Sequence, residues 1–341
     1  TGPGRVAGVE RYPRWVPSDP PPDHITELAE RRAAARRERD WATADALRAE
    51  IEAAGWSVVD AGTLYTLRRS RADDVTDGPL VRYGSSQTVP SRLVEPPTAP
   101  VTVVLLATDW PDDLSRAIRS LGNRAPRGSQ LVVVANGPSP EQQDGLAGLE
   151  VDTDEVKTEV VWMRERVGHA AALNAGIRRA AGAVVALMDT SIEPEADLLG
   201  PMIAALDDPT VAVVGPFGLI SDDLRRFHEP DTSGDDRDVV AIEGYLQAFR
   251  RADYERRGPL DEHFSFYRNL DIWWSLVLRD QVPDGAPEPR RALALGGLPV
   301  VRHEHRGWTV LADDERERRS RRNFYRILKR FATRRDLLLD A

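Results

Sequence analysis

Apolar residues along this chain fall into two rhythms. The first runs through "DHITELAERRAAARRERDWATADALRAEIEAAGWSVVD", residues 23–60. Ile25, Leu28, Ala29 and Ala33 share one face of a helix that Asp23 is placed to cap, and Trp41, Ala44, Leu47, Ile51 and Ala54 recur at three-to-four spacing behind Asp40, the cap of a second helix. Gly55 stops that helix, and "WSVVD" and "TLYTLRR" read as short strands around Ala61-Gly62. The pattern predicts a helical hairpin with a small β-appendage over residues 23–70. Residues 1–22 carry many Pro and Gly and no periodicity, as expected of an arm, and residues 71–99 are rich in Pro, Ser and Gly and read as an ordered linker.

From residue 100 short β-rich apolar runs alternate with helical patterns. "VTVVLLAT" is a strand, Pro111 opens a helix through Leu121, and "QLVVVANG" is the next strand. "EVVWMRE", the helix "HAAALNAGIRRAA", the strand "AVVALMD", the helix "ADLLGPMIAAL" and the strand "VAVVGP" follow. This predicts an α/β fold over residues 100–310, a mostly parallel, doubly wound sheet flanked by helices. In such sheets ligands sit at the carboxyl ends of strands. The informative positions are therefore Ala107-Thr108-Asp109, Ala135-Asn136-Gly137 and Asp189-Thr190-Ser191. In the closing segment, residues 311–341, Phe324, Ile327, Leu328 and Phe331 form the apolar face of an amphipathic helix with arginines opposite. Packing against the α/β domain is the preferred reading, with peripheral membrane contact the lesser alternative.

Composition adds a few exclusions. With 41% hydrophobic and 30% charged residues the chain can bury a core, and no apolar run approaches the roughly 20 residues that span a bilayer. The absence of cysteine excludes disulfides and thiolate metal sites and, with no basic-then-apolar leader pattern at the start, suggests a cytoplasmic protein. A net charge of −9 argues against DNA as a partner. Of the 46 basic residues only Lys157 and Lys329 are lysine. Arginine is the better bidentate phosphate partner, but an Ala/Arg/Asp-rich chain is also what a GC-rich genome produces. In the hairpin, bases are interleaved with acids, which favours docking or homo-oligomerisation over RNA contact.

No G-x-G-x-x-G follows a strand and no G-x-x-x-x-G-K is present, which removes the usual dinucleotide and P-loop readings. Instead, "GHAAALNAGIRRAAGAVVALMDTSIEPEADLL" resembles the nucleotide-sugar half of family-two glycosyltransferases of the GT-A fold. Gly168, His169, Leu173, Asn174 and Gly176 match its Gly-basic-x-x-x-Leu-Asn-x-Gly helix, and Asp189 matches the opening of its Asp-x-Asp motif. The resemblance implies a nucleotide-sugar donor (UDP-, GDP- or dTDP-linked) contacted by Ala107, Asp109, Asn136, Gly168, His169, Asn174, Asp189, Thr190 and Ser191. It also implies a divalent cation, Mn2+ or Mg2+, acting as a Lewis acid on the departing diphosphate. Ser191 stands where the second carboxylate belongs, and Glu193 is the nearest acid that would substitute for it.

"VVAIEGYLQAFRRADYERRGPLDEHFSFYRNLDIWWSLVLRDQ" resembles the acceptor half of the same family, through Gly244, Arg250, Arg251, Gly258, Leu260, Asp261 and Glu262. Gly244, Tyr245 and Trp273 fall on the acceptor side, and Asp271 occupies the position of the general base that deprotonates the acceptor hydroxyl. The competing reading makes Asp271 an N-cap for Trp273 or Trp274 N–H. In "LPVVRHEHRGW", His303 and His305 lie two apart, where the family completes its metal site or touches the diphosphate, so the implied metal set is Asp189, Ser191, His303 and His305. Ala135, Ser191 and Leu270 each replace an acid of the family pattern. The expected function is inverting sugar transfer to an unspecified acceptor hydroxyl. The alternatives are a catalytically silent nucleotide- or protein-binding scaffold and, more weakly, a nucleotidyltransferase. In the first rhythm, "RRAAARRERDWATADALRAEIEAAGW" resembles the C-terminal helical module of cysteinyl-tRNA synthetases, which implies a related hairpin and not a synthetase.

Overall fold

The computed structural model describes residues 21–61, 64–69, 72–107, 109–122, 124–147, 149, 156–230, 234–280 and 289–339. Nearly all of the expected arm, together with Gly62 and Thr108, lies outside the described residues. The chain divides into two compact units, Thr1–Ala72 and Asp73–Ala341.

In the first unit, α1 (Asp23–Arg37) and α2 (Trp41–Ala53) precede an antiparallel pair, β1 (Trp56–Ala61) and β2 (Leu64–Arg69). Ile25, Ala29, Ile51 and Trp56 form the core. Asp40 caps α2 as expected, accepting from Thr43 N at 3.1 Å. Asp23 instead lies inside the first turn of α1, with Pro22 at the N-cap, where a carboxylate still favours the positive helix end. Trp41, expected on the buried face, is 56% exposed beneath the Arg36 guanidinium. A buried place goes instead to Arg32, one turn beyond Ala29, because its charge is met by a two-pronged bond to Asp60 at 2.9 Å on each arm.

The second unit starts earlier than the sequence pattern suggested. Within the expected linker, β3 (Val75–Asp77) and β4 (Leu80–Tyr83) form a hairpin, and β4 extends the main sheet by pairing parallel with a later strand. Three- and four-residue strands are too short for alternation to outweigh the turn residues around them. There follow β5 (Ala99–Ala107), α3 (Pro111–Gly122), β6 (Ser129–Asn136), α4 (Pro140–Leu146), β7 (Val156–Met163), α5 (His169–Arg178), β8 (Gly182–Met188), β9 (Ile192–Pro194), α6 (Leu199–Ala205) and β10 (Val211–Gly215). Then come β11 (Gly218–Leu219), β12 (Arg237–Val239), β13 (Ala241–Ile242), β14 (Leu246–Arg250), α7 (Arg251–Arg257), α8 (Leu270–Arg279), β15 (Arg291–Ala294), β16 (Val300–Arg302), α9 (Arg306–Thr309) and α10 (Asp313–Phe331). The central sheet runs β12-β15-β10-β14-β8-β5-β6-β7-β4-β3, and the neighbours from β8 to β4 are all parallel.

Alternation along the strands splits the apolar residues between two faces. Val104 and Val132 join α5 and α8 on one side, while Val103, Leu105 and Val133 join α3 and α6 on the other. The approach of α5 depends on Gly176, since a Cβ there would come within 2.5 Å of Val104 Cγ1 and 2.9 Å of Val134 Cγ2. Phe324, Ile327 and Phe331 of α10 pack on the α5/α8 side, as the amphipathic pattern required. Arg250 and Arg251, matched to the basic pair of the acceptor half, spend their guanidinium groups on main-chain carbonyls (Val211 O and Ala180 O among them) and brace the sheet. No helix among the described residues is long and apolar enough to cross a membrane.

Candidate functional site

Two pieces of register build the site. β14 runs antiparallel beside β8 with Leu246 opposite Met188, and Asp189 N donates to Tyr245 O at 2.9 Å. The residues that open β14 are thereby laid against the acidic end of β8. β16 pairs with β9, Arg302 opposite Ile192, and His303 N donates to Ser191 O at 2.8 Å. That pairing carries the histidine segment back over the same strand end.

The result is a cleft of about 620 Å³, lined among others by His169, Asp189, Thr190, His305, Gly244, Tyr245 and Asp271. Asp189 Oδ1 accepts from Ser191 N at 2.8 Å and Ser191 Oγ at 2.6 Å, and Asp189 Oδ2 lies 3.3 Å from His305 Nε2. Burial pushes the Asp189 carboxyl up, but the bonds from His305 and Ser191 outweigh it and hold the acid below the usual carboxylate range. Burial likewise opposes charge on His305, and the Asp189 contact prevails, raising its pKa. The strand end therefore holds a carboxylate beside an imidazole that it draws toward the protonated form. Asp271 differs: burial raises its pKa against the N–H groups of Gly244 and Ile272, which donate to it at 2.8 and 2.9 Å. It does not cap Trp273 or Trp274. Asn269, with φ +68°, holds the N-cap position and its O accepts from Trp273 N.

His169 is the half-buried neutral member, its pKa lowered to about 4 by desolvation. Below pH 6.5, its ordinary value, the unfolded chain takes up a proton here that the folded chain refuses until about pH 4. Stability from this residue therefore falls as pH drops through that window. His169→Gln should lose less stability than wild type between pH 7 and pH 5, read as the change in urea midpoint; equal losses would contradict the assignment.

Several residues assigned by resemblance are occupied elsewhere. Asn174 is 2% exposed and makes its bonds to Leu260 O, Leu260 N, Glu262 and Tyr254 Oη, so it faces the core and not a nucleotide. Asn136 is buried and exchanges both amide ends with Val167, donating to its O at 3.1 Å and accepting from its N at 2.8 Å. Ala107 is 1% exposed, and Leu106 reaches the cleft in its place. Asp109 lies at the surface in an ion pair with Arg166 at 2.8 Å. Gly168 is the N-cap of α5, packed against Ser265. Trp273 is buried between Phe264 and Trp274, away from the cleft lining.

The implied metal set also separates. Ser191 is buried and turned into Asp189, because a strand-end carboxylate without a second acid beside it draws the nearest N–H and O–H. His303 pairs with Glu193 at 2.7 Å. Asp189 and His305 remain as the two side chains able to share an ion. Among the described residues no group of three His, Cys, Asp or Glu side chains converges to hold one unaided.

Glu243 and Tyr267 line the cleft without having been singled out, together with Arg302 from the histidine segment. Arg302 lies 5.0 Å from the Tyr245 ring centroid and 3.9 Å from Glu243. Glu243 had one legible signal, an acid set directly after the apolar run "VVAI".

Sheet order and the strand-end site define a GT-A fold. A crystal structure of GalNAc-T7 with UDP, GalNAc and Mn2+ superposes with a TM-score of 0.52 at 15% identity, covering 67% of this chain and 48% of that one. Residues 102–271 match the family described as "Glycosyl transferase family 2". The pre-mycofactocin glycosyltransferase of Mycobacterium tuberculosis is 32% identical over 230 residues, 62% of this chain and 45% of the relative. A 50-residue stretch is 52% identical to the cysteine–tRNA ligase of Opitutus terrae, 15% of this chain and 11% of that protein. The chain thus spans less than half the length of either curated relative.

Proposed function

We propose that this chain transfers a sugar from a nucleotide-sugar donor to an acceptor hydroxyl, with inversion at the anomeric carbon. The observation that carries this reading is the meeting of Asp189 and His305 with the strand start Gly244-Tyr245 and Asp271 in one cleft. The Asp189–His305 pair is the donor side: a preorganised imidazole drawn toward its protonated form by a carboxylate is suited to the charge that develops on a leaving diphosphate. A divalent cation held by Asp189 and His305, with diphosphate oxygens completing its shell, would supply further neutralisation there. The carboxyls beside Gly244 face the acceptor, where one of them removes the hydroxyl proton; the family resemblance gives that role to Asp271.

The family match and the relative's name support sugar transfer, and the fold neighbour's UDP and Mn2+ support a UDP-sugar and a metal, with GDP and dTDP donors as the other candidates. Calorimetry with UDP and GDP tests the reading. Binding that tightens with Mn2+ is expected, and absence of binding under both conditions would overturn it. A silent scaffold is favoured by one observation, the replacement of three family acids by Ala135, Ser191 and Leu270. Nucleotide binding with no turnover of any nucleotide-sugar would decide for it.

A further inference from the structure

Four residues that line the cleft each carry a buried side-chain polar atom with no hydrogen-bond partner among the described residues: Glu243 Oε1, Tyr267 Oη, Trp274 Nε1 and His305 Nδ1. A buried polar group left unmatched is costly, and four around one cavity mark where a ligand's polar atoms go. Glu243 is the one carboxylate among them. Its main chain is fixed by Glu243 N donating to Phe217 O at 2.8 Å, between β13 and β14, and its side chain is 13% exposed.

Asp271 contrasts with it across Gly244. Both Asp271 oxygens already accept main-chain N–H groups, Oδ2 from Gly244 and Oδ1 from Ile272. Gly244 is locked against Asp271, since a Cβ on it would lie 3.1 Å from Asp271 Cβ. Asp271 thus holds the turn that presents Glu243. We infer that Glu243, rather than Asp271, touches the acceptor hydroxyl and takes its proton, with Asp271 as a positioning residue. This rests on the donor reading above. The acceptor O–H proton passes to the Glu243 carboxylate, and the acceptor oxygen's lone pair forms the new bond to the anomeric carbon. The bond from that carbon to the diphosphate breaks, its electron pair leaving with the nucleoside diphosphate.

The groups facing Glu243 suit it to the task. Burial pushes its pKa to about 7, Glu229 and Asp271 push the same way, and Arg302 and Arg268 pull against them. A base of this kind is matched to neutral pH. Below about pH 7 it carries a proton and cannot accept another, so turnover should fall on the acid side.

The test uses the full chain with Mn2+, a panel of UDP-glucose, GDP-mannose and dTDP-glucose, and water as acceptor, reading nucleotide release against pH beside calorimetric binding of UDP and GDP. Glu243→Gln should bind nucleotide as wild type does, release it about 100-fold more slowly, and lose the acid limb of the pH profile. Asp271→Asn should slow release yet keep that limb. A limb that persists in Glu243→Gln, or disappears in Asp271→Asn, overturns the assignment. So does wild-type protein that binds nucleotide but shows no acid limb, or a Glu243→Gln protein that loses nucleotide binding. Wild-type protein that binds no nucleotide overturns instead the donor reading beneath it.

Discussion

Replacing Asp189 with asparagine should lower nucleotide-sugar turnover by about 10³-fold, the largest kinetic effect expected from one substitution in this chain. The amide is nearly isosteric, and its oxygen can still accept from Ser191 N and Oγ, so the turn after β8 should survive. What disappears is charge, and it disappears twice. Asp189 loses its own negative charge, and His305, whose pKa is raised by that carboxylate against the pull of burial, loses the partner that favours its protonated form. The donor side is left without an anion for a cation and with a His305 less disposed to carry charge toward a diphosphate. Turnover and Mn2+-dependent nucleotide binding, measured together, check this. An Asp189→Asn protein that binds and turns over normally would reduce Asp189 to the polar end of a buried strand.

Much of this was legible in the chain. Asp189 was visible because a buried strand cannot end in an acid without a reason, and α/β sheets place ligands at that edge. His305 and Gly244 were visible only as motif positions, since the pairings that bring them to Asp189 are made between segments far apart in sequence. Glu243 escaped because its meaning depends on a missing partner, and no local pattern records which buried atom lacks one. His303 and His305 look equivalent in "RHEHR", yet one meets Glu193 and the other Asp189. That division follows from the strand pairing of β16 with β9, not from spacing. The hairpin of β3 and β4 was hidden for another reason: its strands are too short for a period, and Gly and Pro mask them.

The second large effect belongs to a residue whose apparent role changed. Asn174→Ala should destabilise the second unit by about 3–5 kcal/mol and lower its melting temperature by roughly 10 °C, while leaving any nucleotide affinity of the folded protein unchanged. Asn174 Nδ2 donates to Leu260 O and Glu262 Oε1, and its Oδ1 accepts from Leu260 N and Tyr254 Oη. Glu262 is also held by Ser86 Oγ. The "LNAG" helix and the "GPLDE" turn, which read along the chain as separate functional motifs, are therefore two halves of one buried clamp. Removing the amide strands three main-chain or hydroxyl groups, in a region where Leu260 is 1% exposed and water cannot replace the lost bonds, and leaves Glu262 with Ser86 alone of these two partners. The turn so fixed leads directly into Tyr267, Arg268 and the start of α8, which carries Asp271. Its loosening should appear first as a shifted denaturant midpoint, and as lost turnover only where the protein is partly unfolded. Urea unfolding alongside calorimetry separates the two roles: a wild-type midpoint with weakened nucleotide binding would return Asn174 to the donor site.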